Sequence, residues 1–179
     1  KICSEFVPHK TERGGVALNI ADESSLCEAC NEMNRKFSDV SHFFLVQKMA
    51  RPGTELILGA RRDPVFGPVV LAGIGGIFTE IFRDTAIDLA PVDNVAARAM
   101  IRRLKGAALL EGYRSQKPLD IDAIVGAISA LSKLISERTD ILEIDVNPLI
   151  AYPDGAVAVD ALVRLDGNHP KAARKHPDS

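Results

Sequence analysis

The closing stretch, DILEIDVN and AVAVDALVRL joined through YPDG, constrains this chain most, because apolar and polar residues alternate with period two on both sides of a turn. Such a pattern is a β-hairpin, and taking Tyr152 to Gly155 as its loop determines every partner across it. Asn147 then faces Asp160, Val146 lies beside Ala161 and Ile144 beside Val163. One face collects Leu142, Ile144, Val146, Val157, Val159, Ala161 and Val163 and is expected in the core. The other carries Glu143, Asp145 and Asn147 in line, with Asp160 across from Asn147 and diagonal to Asp145. Oxygen ligands gathered in this way suit a hard divalent cation such as magnesium, which takes one or two carboxylates plus waters and phosphate oxygens. The alternative is a solvated sheet face, although such a face ordinarily mixes in Lys, Thr or Arg. The hairpin by itself names no reaction.

Upstream, the pattern is mixed. Lys1 to Cys3 reads as the stump of a strand, followed by the polar loop HKTERGG and a short apolar run, VALNI, expected to be another strand. Asp22 is placed to cap a helix running to about Phe37, with Leu26, Cys30 and Met33 forming its apolar stripe. FFLVQKM, TELILGARR and GPVVLAGIGG read as strands of an antiparallel meander, separated by the turn sequences RPGT and DPVFG. DNVAARAMIRRLKGAALLEGY reads as helix interrupted near Gly106, and DIDAIVGAISALSKLISERT as a further helix opened by an aspartate cap. The end, DGNHPKAARKHPDS, is a polar tail. The fold class is therefore α+β, an antiparallel sheet packed with helices.

With 22 Lys and Arg against 24 Asp and Glu, the chain has no global basic field to attract nucleic acid or anionic lipid, so any anion site must be local. No apolar run approaches the ~20 residues of a membrane span, and the first residues do not resemble a signal peptide. Three cysteines in 179 residues favour a reducing, cytoplasmic setting. Cys27 and Cys30 form a C-x-x-C, but it lies inside a helical stretch and lacks a second ligand pair, so two cysteines one helical turn apart are the simpler reading.

HKTERGGV, residues His9 to Val16, has the composition of an oxyanion loop. Gly14 and Gly15 let backbone amides approach a phosphate, and Lys1, Lys10 and Arg13 supply positive charge. The segment does not match G-x-x-x-x-G-K-[ST], and a glycine pair beside charges can also be an ordinary loop. The GIGG run at 73 to 76 could hold a ligand or simply permit close packing at a strand end.

Taken in succession, HKTERGGVALNI, then VQKM-RPGTELILGARRDPVFGPVVLAGIGGIFTEIFRD, then EIDVNPLI and DGAVAVDALVRL closely resemble the ATP-grasp domain of ADP-forming acetyl-CoA and related acyl-CoA synthetases. The resemblance covers residues 1 to about 165, with several motifs in the family's order and at similar gaps. It implies an ATP-grasp fold with an incomplete first lobe: residues 1–50 as the remainder of that lobe, 51–165 as the second lobe and 166–179 as the tail. It also implies the reversible reaction of ATP, a carboxylic acid and CoA to ADP, phosphate and acyl-CoA, working through a phosphohistidine.

Carried over by that resemblance, Lys1 looks like the strand lysine on the ATP phosphates, and Gly14 and Gly15 look like the phosphate-covering loop. Gln47, Lys48 and Met49 look like the hinge at adenine, and Glu55 like a carboxylate of the nucleotide site. Asn147 and Asp160 match the magnesium ligands, with Asp145 alongside, and His9 is the histidine implicated in phosphoryl transfer. ATP or ADP and Mg2+ are the cofactors implied. The partners implied are CoA-binding and phosphohistidine domains, fused or on a separate subunit, which bind CoA and the acid, within a full-length oligomer. Two other readings stand beside this one: a regulatory nucleotide-binding module of a synthetase-like protein acetyltransferase, and a plain interaction domain that binds no nucleotide.

Overall fold

The computed structural model describes residues 1–4, 6–7, 10–76, 83–112 and 117–167. It divides into two compact units, Lys1–Arg51 and Pro52–Ser179.

In the first unit, strand β1 (Ile2–Cys3) pairs antiparallel with β2 (Phe43–Phe44), and helix α1 (Glu23–Lys36) lies between them in sequence. Asp22 caps α1 as its sequence requires: its carboxylate accepts the Ser25 N–H at 2.8 Å, and the Ser25 hydroxyl accepts the Asp22 N–H in return. Those contacts hold the Asp22 carboxyl below its ordinary value, the Ser25 N–H contributing most. Ile2, Val7, Met33 and Phe37 form a small core, with Ala17, Val40 and Phe44 packed against it. Two strand expectations are corrected. VALNI has no regular secondary structure, because Asn19 takes a positive φ of 59° that an extended ladder cannot accommodate. FFLVQKM is a strand only at Phe43–Phe44, since β1 offers just two residues to pair with.

The second unit is a six-stranded antiparallel sheet covered by helices. Its strands are β3 (Thr54–Asp63), β4 (Gly67–Ile74), β5 (Thr85–Leu89), β6 (Ile141–Tyr152), β7 (Gly155–Ala158) and β8 (Ala161–Leu165). Their order is β5-β4-β3-β6-β7, with β8 also pairing β6. β5 is an edge strand that the alternation did not reveal. The helices are α2 (Asn94–Arg102), α3 (Ala107–Leu110) and α4 (Ile121–Glu137), with Asp93 and Asp120 as the side-chain caps of α2 and α4. Ile124, Val125, Ile128, Leu131 and Ile135 of α4 bury one stripe among Leu56, Leu58, Ala60, Val70, Ala72 and Ile74 of the sheet. Among the described residues no helix is long and apolar enough to cross a membrane.

Arg62 ties helix to sheet. The last carbonyls of a helix have no intrahelical partner, and a cation there also meets the negative end of the helix dipole. The Arg62 guanidinium donates to Ile135 O at 2.5 Å, Arg138 O at 3.0 Å and Ile141 O at 3.1 Å. Arg62→Met keeps the aliphatic bulk but takes a donor from each of these carbonyls, of which Arg138 O keeps the Ile141 N–H at 3.1 Å, so it is expected to cost about 1–3 kcal/mol. Urea denaturation should then show a lower midpoint at unchanged slope. An unaltered midpoint would show that water replaces the guanidinium without loss.

Candidate functional site: a hairpin rung and a glycine loop

The register expected for the closing hairpin is the one observed. Tyr152 pairs with Gly155 and Leu149 with Ala158, while Val146 pairs with Ala161 and Ile144 with Val163. Between these two runs the Asn147 N–H donates to Asp160 O at 3.2 Å and the Val159 N–H to Pro148 O at 3.0 Å. Asn147 and Asp160 therefore share one rung.

The expected core face needs correction. Leu56 pairs with Leu149 but Leu58 pairs with Val146, so Asn147 and Pro148 together oppose the single residue Ile57. This is a bulge in β6, at a proline that has no N–H for the ladder. It reverses the alternation: Ile144 and Val146 face α4, and beyond the bulge that side is continued by Leu149 and Ala151. Val157, paired with Ile150, falls on the opposite face, and Val157 and Val163 are about half exposed because β7 and β8 lie at the sheet margin.

The acidic line is also less uniform than its spacing suggests. Glu143 forms an ion pair with Arg164 at 3.1 Å and stands opposite Arg61 on β3. Asp145 sits two rungs further along, between Gly59 and Leu162, and two rungs from Asn147–Asp160. Glu55 lies on the same non-core side of β3, since Leu56, Leu58 and Ala60 point into the core. Among the described residues no group of three His, Cys, Asp or Glu side chains could hold a metal. What the rung offers is one amide and one carboxylate with Asp145 nearby, a hard-oxygen set that fits a cation completing its shell with water and phosphate oxygens.

Glu55 is also shaped by the GIGG run. The Gly75 N–H donates to Glu55 O at 2.7 Å, and a Cβ on Gly75 would come within 2.9 Å of Glu55 C and O. Only glycine permits that approach, so this run packs closely against a candidate site residue. Gly73 is similarly crowded by Thr85 Cγ2 at 2.8 Å and Asp84 O at 2.9 Å.

In the first unit, Lys1 is half-buried and its carbonyl accepts the Leu45 N–H at 2.8 Å. Gly14 has φ +68° and donates to Thr11 O at 3.0 Å, and Gly15 donates to Lys10 O at 2.6 Å. The Ile2 N–H donates to Gly15 O at 2.8 Å, which fastens the loop to β1. Gln47, Lys48 and Met49 are exposed and without regular secondary structure. His9 lies outside the described residues, as does most of the tail. Cys3, Cys27 and Cys30 are free thiols, and Cys27 is exposed.

An antiparallel sheet covered by helices on one side, with an amide–carboxylate rung on its closing hairpin, is the class of structure that the motifs imply. The chain belongs to the ATP-grasp family: a family model described as an ATP-grasp domain matches residues 1–165. It is the ATP-grasp portion of an enzyme of the kind represented by subunit beta of the ADP-forming acetate–CoA ligase I of Pyrococcus furiosus. To that subunit it is 40% identical over 170 residues, covering 92% of this chain and 73% of the relative. The single-chain 4-hydroxybutyrate–CoA ligase (ADP-forming) of Nitrosopumilus maritimus is 35% identical over 160 residues, which cover 87% of this chain and 23% of that protein. The chain thus spans about three-quarters of a separate subunit and about a quarter of a fused enzyme.

Solved structures agree. Ca. Korarchaeum cryptofilum ACD1 in complex with coenzyme A superposes with a TM-score of 0.86 at 41% identity, covering 93% of this chain and 74% of that one. The dinucleotide-forming acetyl-coenzyme A synthetase 1 of the same organism gives a TM-score of 0.78 at 39% identity, covering 92% and 76%. That structure holds coenzyme A and Mg-AMPPCP, with a phosphohistidine segment pointing towards its nucleotide-binding site.

Proposed function

We propose that this chain binds Mg-ATP and transfers its γ-phosphoryl group to histidine within an ADP-forming acyl-CoA synthetase, whose reaction is ATP, a carboxylic acid and CoA giving ADP, phosphate and acyl-CoA. The observation that carries the proposal is the Asn147–Asp160 rung, reached from hairpin arithmetic and again from the family motifs, with the backbone bond between them at 3.2 Å. Mg2+ held at Asn147 and Asp160, with Asp145 nearby, would neutralise phosphate charge as it shifts in the transition state. In the first unit, Lys1 would meet phosphate oxygens under the loop of Gly14 and Gly15, whose own N–H groups are held by Thr11 O and Lys10 O, and Gln47, Lys48 and Met49 would meet adenine through backbone and aliphatic atoms. Glu55 orients the nucleotide. His9 is the acceptor: a neutral imidazole nitrogen attacks the γ-phosphorus as the bond to the β-phosphate oxygen breaks, releasing ADP.

Phosphohistidine and CoA-binding domains, fused or on a second subunit of an oligomeric enzyme, would supply the acid and CoA sites. A reducing cytoplasm suits the free thiols. The test is an assay of the full-length protein for ADP release, which is expected to require both a carboxylic acid and CoA. ATP binding without acid-dependent turnover would point instead to the regulatory module.

A further inference from the structure

The two sides of the glycine pair are built differently. A Cβ on Gly15 would collide with Ile2 and lie 3.0 Å from Lys10 O, so that residue is packed against the unit's own backbone. A Cβ on Gly14 would meet Lys36 instead, at 2.5 Å from Nζ and 3.6 Å from Cε, and its three nearest atoms all belong to that side chain. Lys36 stands in the last turn of α1, 22 positions after Gly14 in the chain, and is exposed. The adjacent residue, Phe37, is buried and carries the Arg13 guanidinium 5.5 Å from its ring centroid. Arg13, the cation nearest the loop in sequence, therefore has its charge held on an aromatic face. The ammonium laid against the loop backbone is that of Lys36.

We propose that Lys36 binds the terminal phosphate oxygens of the nucleotide, as a cation delivered to the glycine loop by helix α1. The proposal rests on residues 10–15 being the phosphate loop. A lysine ammonium is a compact charge with three donors, able to bridge phosphate oxygens beside backbone amides. Gly14 serves this arrangement twice: its φ of +68° forms the turn, and its missing side chain leaves the space that Lys36 Nζ occupies. A lysine with only a solvating role would have no reason to fold over Gly14, the glycine of the pair that leaves space beside the loop backbone.

The test uses the full-length protein and compares ATP, ADP and AMP binding, each with Mg2+, in wild type, Lys36→Gln and Lys36→Arg. Lys36→Gln should weaken ATP on the order of tenfold, the worth of one charge-assisted hydrogen bond, and leave AMP unchanged. Lys36→Arg should recover most of the loss. Equal weakening of all three nucleotides would overturn the proposal by making Lys36 a support of the fold. Unchanged ATP affinity in Lys36→Gln, with wild type still preferring ATP to AMP, would overturn it while leaving the loop reading intact. A wild type that does not prefer ATP to AMP would remove the loop reading and this proposal with it.

Discussion

Asn147→Ala and Asp160→Asn are each expected to weaken magnesium-dependent ATP binding by about 10- to 100-fold or more, the range reached when even an outer-shell partner of a metal is lost. The expectation is specific because the two changes should spare the fold. The bond that joins these residues runs from the Asn147 N–H to the Asp160 carbonyl, so the hairpin rung survives both substitutions. Asp160→Asn also keeps the size of the side chain and removes only its charge. Titration calorimetry on the full-length protein, with Mg2+ and then with excess chelator, separates the outcomes. Wild type should lose affinity on chelation, whereas the variants should start weak and lose little more. Variants that bind as tightly as wild type and respond equally to chelation would move the metal away from this rung.

Replacing His9 should have the larger effect on turnover and the smaller on binding. If it accepts the phosphoryl group, His9→Ala abolishes the complete reaction while Mg-ATP affinity stays near wild type, because Lys1 and the glycine loop remain. His9→Asn is the stricter variant, since it preserves polarity and approximate size while supplying an amide nitrogen that is not nucleophilic. Radiolabel from γ-labelled ATP should stay on the wild-type protein in alkali and leave it in acid. Loss of affinity in both variants would reduce His9 to a holder of the loop. Near-normal turnover would take it out of the mechanism and leave the histidine of the phosphohistidine domain to reach ATP directly.

Local chemistry made much of this chain legible in advance. The aspartate caps at Asp22 and Asp120 each satisfy orphan N–H groups within a few residues of themselves, so their helices could be read from the sequence. The turn at DPVFG is equally local: Asp63 accepts the Val65 and Phe66 N–H groups at 2.9 and 3.1 Å, and Gly67 supplies φ +78°. Val65 and Phe66 lower the Asp63 carboxyl below its ordinary value, with Arg61 adding to them. A short turn and a period of two were enough to place Asn147 opposite Asp160, because pairing in a hairpin follows from counting outward from its loop.

Tertiary structure decided what counting could not reach. Helix α4 does not reach the sheet margin, so Val163 stays half exposed, and Val157 is half exposed on the opposite face, despite an alternation that reads both as core. The bulge at Asn147–Pro148 is invisible within the hairpin, whose register continues unchanged from Leu149–Ala158 to Val146–Ala161, and shows only against β3, a strand far earlier in the chain. The ion pair between Glu143 and Arg164 belongs to the same class, since it rests on which strands become neighbours. Lys36 does too: nothing in the order of residues connects Gly14 with the end of α1 until the helix packs Met33 and Phe37 against Ile2 and brings its last turn to the loop. Sequence by itself determined the hairpin rung, the caps and the glycine turns, because their interactions span few residues. Which face is buried, where a strand bulges and which cation reaches the loop were settled by packing between segments far apart in the chain, whose cost and gain no local pattern records.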